Sequence, residues 1–171
     1  MRVCDIIFSA VGLLLSSPVM AVTLLVSWVD TRSPLLAQER VGRHGIPFTL
    51  YKFRTMDKNA PTVPSHQASA DNITRIGRFL RSTKLDELPQ LWNVLRGDMS
   101  LVGPRPCLLS QMEIINLRRM SGISHVRPGI TGFAQVGGID MSDPEILVRF
   151  DVEMMSTITV FNYFRCLGLT L

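Results

Sequence analysis

Residues 81–106 read Arg81-Ser-Thr-Lys-Leu-Asp-Glu-Leu-Pro-Gln-Leu-Trp-Asn-Val-Leu-Arg-Gly-Asp-Met-Ser-Leu-Val-Gly-Pro-Arg-Pro106. An adjacent carboxylate pair, Asp86-Glu87, stands here among Arg81, Lys84, Arg96 and Arg105. Neighbouring residues on a helix project about 100° apart, so the two acids cannot share one proton face to face. One can face a reacting centre while the other holds a metal. Thr83 reads as an N-cap, which places Asp86 in a first turn where acids suit the dipole. Pro89 lacks the N–H that would bond the Leu85 carbonyl, so a second reading starts the helix at Leu88–Pro89. Either way the pair lies at a helix start, where free N–H groups attract phosphate. Taken alone, such a pair is most often an ordinary solvated helix start. Beyond Pro89 the core candidates are Leu88, Leu91, Trp92 and Leu95, with Trp92 read as packing rather than stacking on a substrate. Gly97 ends the helix, and Gly103-Pro104-Arg105-Pro106 is a rigid turn presenting one arginine.

Upstream, Ile73, Ile76, Phe79 and Leu80 form an apolar stripe, with Arg75, Arg78, Arg81 and Lys84 at every third position beside it. That amphipathic basic helix suits an anionic membrane surface, although a solvated charged face gives the same pattern. Four cations leading into two acids is how a site for a metal-bound diphosphate would look. Asn59 to Asn72, rich in Pro, Ser and Ala, reads as a mobile loop. Gln38 to Arg43 and Gly45 to Pro47 read as loop, and Phe48 to Arg54 as a strand in which Phe48, Leu50 and Tyr51 pack. Arg43, Lys52 and Arg54 form a basic edge.

The N-terminus is apolar. Ile6 to Val29 is uncharged and, at roughly 24 residues, long enough to cross a bilayer. Pro18, after Ser16-Ser17, removes one helical hydrogen bond near its middle. A kinked spanning helix, a signal peptide cut near Val19-Met20-Ala21, and a re-entrant helix–break–helix all fit these residues. The signal peptide is disfavoured, because Asp5 offsets Arg2 and apolar sequence continues past Ala21. Arg32, Arg40, Arg43, Lys52 and Arg54 follow closely, which places the rest of the chain on the cytoplasmic side.

Downstream, Cys107 to Met120 reads as a helix ended by Ser121-Gly122, Arg127 to Gly132 as a turn and Phe133 to Val136 as a short strand. Ser142 reads as the cap of a helix with Pro144 in its first turn and Glu145 at capping-box spacing. The tail from Ile158 is apolar, too short to span, and reads as an interfacial helix.

The chain of 171 residues carries net charge +4, with pI about 9.3 and mean hydropathy +0.23, which points to an anionic partner and to a membrane. Cys4, Cys107 and Cys166 suggest neither a disulfide framework nor a metal knuckle, so a reducing compartment fits. His44, His66 and His125 lack ligand or triad spacing. There is no GxSxG, Walker or GxGxxG motif.

The string "LDELPQLWNVLRGDMSLVGPRP" resembles the signature of the bacterial sugar transferases, the small monotopic phosphoglycosyl transferases (PglC-like). "QERVGRHGIPFTLYKFRTM" (38–56), "ITRIGRFLRSTKLDELPQ" (73–90) and "RPGITGFAQV" (127–136) are similar to the same family and occur in its order. The resemblance implies an α-rich α+β fold with a re-entrant membrane helix over 1–30, broken at Ser17-Pro18. Residues 31–171 then form a catalytic domain with a small β element and interfacial helices, on the cytoplasmic face of a bacterial inner membrane. It implies that Asp86 attacks a UDP-sugar, expelling UMP, and passes the phosphosugar to polyprenol (undecaprenol) phosphate. Glu87 would hold Mg²⁺, Arg81 phosphate and Arg105 the nucleotide, with Lys52, Arg54, Pro104, Pro106 and Gln135 completing the substrate site. Membrane lipids are partners, nucleic acid is not, and an oligomer is compatible with the sequence. Where the family commonly continues Asn-Gly-Arg, this chain has Gly137-Gly138-Ile139, so an arginine is missing. The competing reading is a non-catalytic basic protein that docks on anionic lipid or nucleic acid. It leaves unexplained why two acids sit inside the basic patch, where they weaken binding to a polyanion.

Overall fold

The computed structural model describes residues 1–61 and 69–170. Residues 62–68 of the expected loop between Asn59 and Asn72, His66 among them, lie outside the described residues. The chain is helix-rich α+β. Its elements run α1 (Arg2–Thr31), β1 (Leu35–Val41), β2 (Pro47–Phe53), α2 (Arg75–Ser82), α3 (Gln90–Arg96), β3 (Ser100–Val102), α4 (Met112–Met120), β4 (Gly129–Thr131), α5 (Phe133–Val136), α6 (Pro144–Thr157) and α7 (Val160–Thr170). β1 and β2 form an antiparallel hairpin with Gln38 opposite Leu50, while β3 and β4 pair in parallel.

Among the described residues α1 is the helix long and apolar enough, by length and composition, to cross a membrane, and its burial is inverted. Asp5, Ser9, Thr23 and Ser27 are buried, and Gly12, Ser16 and Met20 are half-buried on the same stripe. Ile7, Val11, Leu14, Leu15, Leu25 and Val29 are exposed. A helix of a water-soluble protein turns its apolar stripe inward; this one turns its small and polar stripe inward. The whole length of α1, about 45 Å at this residue count, follows the rest of the chain. At its start, Arg2 donates to the Val94 and Leu95 carbonyls at 2.6 and 3.0 Å. Asp5 accepts from Ser100 Oγ at 2.9 Å, Leu101 N at 3.0 Å and Tyr163 Oη at 2.7 Å. Midway, Gly12 faces Leu91, and further on Met20 and Leu24 lie beside Tyr51, Phe53 and Trp92. Pro18 is accommodated inside the helix. It leaves the Leu14 carbonyl without its backbone N–H donor, and the Ser17 hydroxyl donates to that carbonyl instead at 2.8 Å.

Leu50, Val94, Met99, Leu101, Val102, Met154, Tyr163 and Cys166 form the main core, and Cys107, Ile114, Ala134, Met141 and Leu147 a second one. Several boundaries differ from the sequence reading. Residues 35–41 are a strand rather than a loop. The Cys107–Met120 helix starts only at Met112. The strand expected at Phe133–Val136 is a helical turn, and the strand instead occupies the expected turn at Gly129–Thr131. α6 is capped by Asp143, whose carboxylate accepts from Ile146 N at 3.0 Å, not by Ser142. Trp92 is 52% exposed rather than in the core, and Leu88, Leu91 and Leu95 are half-buried. In α7, Tyr163 and Cys166 face inward, Phe161 and Leu169 outward, and Phe164 packs edge-on against Phe8 of α1.

Candidate active site

Asp86 and Glu87 sit on a short 3-10 turn, Leu85–Glu87, between α2 and α3. Thr83 does not cap a helix that follows. It ends α2, its hydroxyl donating to the Phe79 carbonyl at 2.8 Å. Lys84 then takes a left-handed conformation (φ 55°) that reverses the chain into the turn, a conformation uncommon without glycine. α3 begins after Pro89, as the second of the two sequence readings has it.

The neighbouring elements bring cations to this turn. α2 docks on Thr55 through Gly77, where an added Cβ would fall 2.0 Å from the Thr55 carbonyl oxygen. That contact lets Arg81 Nε donate to Thr55 Oγ1 at 2.9 Å. β2 delivers Lys52. The Pro104-Arg105-Pro106 turn leaves β3 where Gly103 and Gly129 meet backbone to backbone, Cβ on Gly129 falling 2.1 Å from Gly103 N. Both flanks of the turn are tied: Arg118 donates to the Arg105 carbonyl at 2.9 Å and Arg40 to that of Pro106 at 3.2 Å.

Lys52, Arg81, Lys84, Asp86, Glu87, Arg105, Gln135 and Asp140 line one cavity of about 440 Å³, whose far wall is Ile130, Thr131, Met141 and Thr170. The sequence-predicted set is thus largely brought together, Arg54, Pro104 and Pro106 being the exceptions. Arg54 turns away to the Ser33 carbonyl, Nε to O 2.9 Å. Pro104 and Pro106 are buried and shape the turn rather than line this cavity. Arg43 binds the His125 carbonyl elsewhere.

Arg40 was missed by the sequence reading. It is buried on β1 and joins Lys52, Glu87, Gln90, Arg105 and Pro106 around a recess of about 20 Å³, and its buried Nε has no hydrogen-bond partner among the described residues. The signal that could have found it is the alternation of β1, masked by the run Gln38-Glu39-Arg40. Thr170 and Lys84, hydrogen-bonded to each other across the cavity, are separated by so much sequence that no local pattern links them.

Charge is crowded here but not neutralised. Among the described residues the ion pairs within 4.0 Å are Arg96–Asp98 and Arg118–Asp151, so neither Asp86 nor Glu87 is paired. Burial pushes the Asp86 carboxyl up to about 6; Glu87 adds to the rise while Lys52 and Arg81 oppose it. Burial pulls Lys52 down to about 8, against the pull of Asp86 and helped by Arg40, Arg105 and Arg81. Burial, and secondarily Arg105, lowers Arg81. At neutral pH the site therefore holds a mostly ionised, poorly solvated carboxylate beside cations that bear uncompensated charge. Such an arrangement suits an anionic ligand that satisfies the cations and accepts attack from the carboxylate. The donor chemistry also fits Mg²⁺, which takes one or two carboxylates together with substrate phosphates and its own waters.

A family model described as bacterial sugar transferase matches residues 1–171. The chain is 41% identical over 143 residues to the UDP-glucose:undecaprenyl-phosphate glucose-1-phosphate transferase of Caulobacter vibrioides, covering 81% of this chain and 54% of that protein. It is 36% identical to the undecaprenyl-phosphate galactose phosphotransferase of Salmonella typhimurium, covering 94% of this chain and 37% of that one. An uncharacterized sugar transferase of Bacillus subtilis is 36% identical, with 99% and 84% covered. The chain thus spans about half the length of the first of these relatives and about a third of the second.

Proposed function

The chain belongs to the bacterial sugar transferase family, and from that premise we propose that it moves a sugar phosphate from a UDP-sugar to undecaprenyl phosphate. The donor and acceptor classes are those in the names of the Caulobacter and Salmonella relatives. The observation that carries the chemistry is Asp86, 5% exposed and unpaired in a cation-lined cavity.

In the first half-reaction a carboxylate oxygen of Asp86 attacks the β-phosphorus of the donor. The bond from that phosphorus to the oxygen bridging to the α-phosphate breaks, UMP leaves with the electron pair, and the phosphosugar remains on Asp86. In the second, an oxygen of the lipid phosphate attacks the same phosphorus, and Asp86 departs as a carboxylate. Arg81, fixed by Thr55, and Lys52 hold the phosphoryl oxygens. Arg105 holds the nucleotide side, from a turn that Arg40 and Arg118 keep rigid. Gln135 Oε1, buried without a partner among the described residues and on the cavity wall, accepts from a sugar hydroxyl. Glu87 would hold Mg²⁺, which when bound offsets the charge of the phosphates and of the leaving group.

The membrane arrangement belongs to the same proposal. α1 runs through Ser17-Pro18 as one helix; a bend at that pair, where Pro18 removes a backbone hydrogen bond, would let it enter and leave by one face rather than cross. Its exposed apolar residues lie in lipid, and the cations after Thr31 keep the domain on the cytoplasmic side. The lipid acceptor's phosphate, held at the interface, then meets a site built at the same level.

Intact-mass analysis of protein mixed with Mg²⁺ and a panel of UDP-sugars, without acceptor, tests this. A phosphosugar adduct that is absent in Asp86→Asn is the expected result, and it names the sugar. No adduct together with no UMP release would favour a binding protein; UMP release without an adduct would remove Asp86 as nucleophile.

A further inference from the structure

A second cationic cavity, of about 220 Å³, lies at the start of α1. It shares no lining residue with the catalytic cavity. Arg2, Arg43, Arg127 and His125 line it, with Met155 and Ile158 as an apolar floor. Arg2 uses both terminal nitrogens to cap the carbonyl end of α3. The other two arginines are anchored differently. Arg43 Nε donates to the His125 carbonyl at 2.7 Å and Arg127 Nε to the Gly97 carbonyl at 2.8 Å. Among the described residues, the paired terminal nitrogens of both are left without a hydrogen bond or an acid partner. A guanidinium fixed through Nε presents its outer edge as a pre-oriented fork for phosphate oxygens. The carboxylate at this wall, Asp5, is buried and already accepts from Ser100, Leu101 and Tyr163, so it does not neutralise the forks.

What lies next to the cavity identifies the phosphate's carrier. Val3, Ile6 and Ile7, on the turns of α1 that leave it, are exposed and apolar. A nucleotide or free phosphate has no use for that surface, whereas a lipid has both a charged head and chains. We propose that this cavity docks the phosphodiester headgroup of an anionic phospholipid, Arg43 and Arg127 closing on its oxygens while its acyl chains run over Val3, Ile6 and Ile7. The site would fix the depth and tilt of α1 in the membrane, and with them the height of the catalytic cavity above the lipid surface.

The test is native mass spectrometry of the full chain in detergent, offered equal amounts of phosphatidylglycerol and phosphatidylcholine. The wild-type protein retains phosphatidylglycerol in preference. Arg43→Gln, which gives up the hydrogen bond to the His125 carbonyl and lies outside the catalytic cavity, weakens that retention roughly tenfold, the scale of a lost charge-assisted contact. Its melting temperature and UMP release stay at wild-type values. Arg43→Gln/Arg127→Gln abolishes the preference; if that variant does not fold, Arg43→Gln alone decides. Equal retention of the two lipids by wild type, or unchanged retention by a folded Arg43→Gln variant, overturns the proposal. So does complete displacement of the lipid by millimolar inorganic phosphate, which would make this a site for free anions.

Discussion

Asp86 and Asp151 are both buried aspartates whose carboxyls burial pushes up, yet they are held in opposite ways. Asp151, 1% exposed, takes two hydrogen bonds from Arg118 on one oxygen, at 3.0 and 2.7 Å. Arg118 in turn reaches the Arg105 carbonyl, so the pair ties α4 and α6 to the turn at the active site. Asp86 has more cations around it and none bonded to it. The cations are diverted instead: Arg81 to Thr55, Lys84 to Thr170, and the guanidinium of Arg40 to Pro106 and Gln38. A buried ion pair that closes on itself is scaffold. Opposite charges held near each other but apart leave their interaction energy to be collected by a ligand, and that separation is what marks a site.

The largest effect that would break this contrast is at the nucleophile. Asp86→Asn should lower sugar-phosphate transfer roughly 10⁴-fold or more, the scale of losing a covalent nucleophile, while raising stability. The folded value near 6 lies above the ordinary carboxyl value of about 4. The folded state therefore binds the proton more tightly, and stability falls as pH rises from about 4 to about 6 and stays low above that. Removing the charge at pH 7 should recover about 1–3 kcal/mol, read as a higher denaturation midpoint. Arg118→Met should do the reverse, destabilising by about 3–5 kcal/mol because Asp151 is left buried and unpaired. If both aspartate systems respond alike in denaturation and in UMP release, the distinction between scaffold and site fails.

A pH profile sharpens it further. kcat/KM should fall about tenfold per unit below a limb near 6, as Asp86 protonates, and again above a limb near 8, as Lys52 loses its charge. Lys52→Arg should retain the acid limb and move the alkaline one upward, since guanidinium stays charged. An alkaline limb that does not move would exclude Lys52 as its source.

The acid pair, Arg81, Lys52, Arg105 and Gln135 could all be read from the chain, because each lies in a contiguous motif and the fold folds those motifs onto one cavity. What escaped the sequence did so for physical reasons. Arg54 follows Lys52 at strand spacing and so should share its face, but its guanidinium is drawn instead to the Ser33 carbonyl at the end of the hairpin. Arg40 looked like a loop cation because three polar residues precede Val41; its burial depends on the Pro106 carbonyl far along the chain. Thr83 has the residue type of an N-cap and serves at the other end of a helix. Trp92 reads as core packing beside Leu91 and Leu95, but it is half exposed next to Met20 and Leu24 of a helix whose apolar side is its outer side. The inverted stripe of α1 was present in the sequence at Asp5, Ser9, Gly12, Ser16, Thr23 and Ser27. Averaged hydropathy registers only that the segment is apolar, whereas the position of its few polar residues shows which side meets the protein.

The smallest test bears most directly on how the charges are kept apart. Thr55 is buried and nearly isosteric with valine, and its hydroxyl holds the Arg81 guanidinium. In Thr55→Val that guanidinium loses its neutral anchor and is free to settle on Asp86, turning the open arrangement into a closed pair like Arg118–Asp151. A hydrogen bond from a charged donor to a hydroxyl is worth about 1.5–3 kcal/mol, so transfer should fall roughly tenfold or somewhat more. The diagnostic change is in the profile: a carboxylate that gains a bonded arginine becomes a stronger acid, so the acid limb should move below 6 while the alkaline limb set by Lys52 stays in place. A rate loss with the acid limb unmoved would mean that Thr55 merely packs, and that the separation of Arg81 from Asp86 is set by the docking of α2 alone.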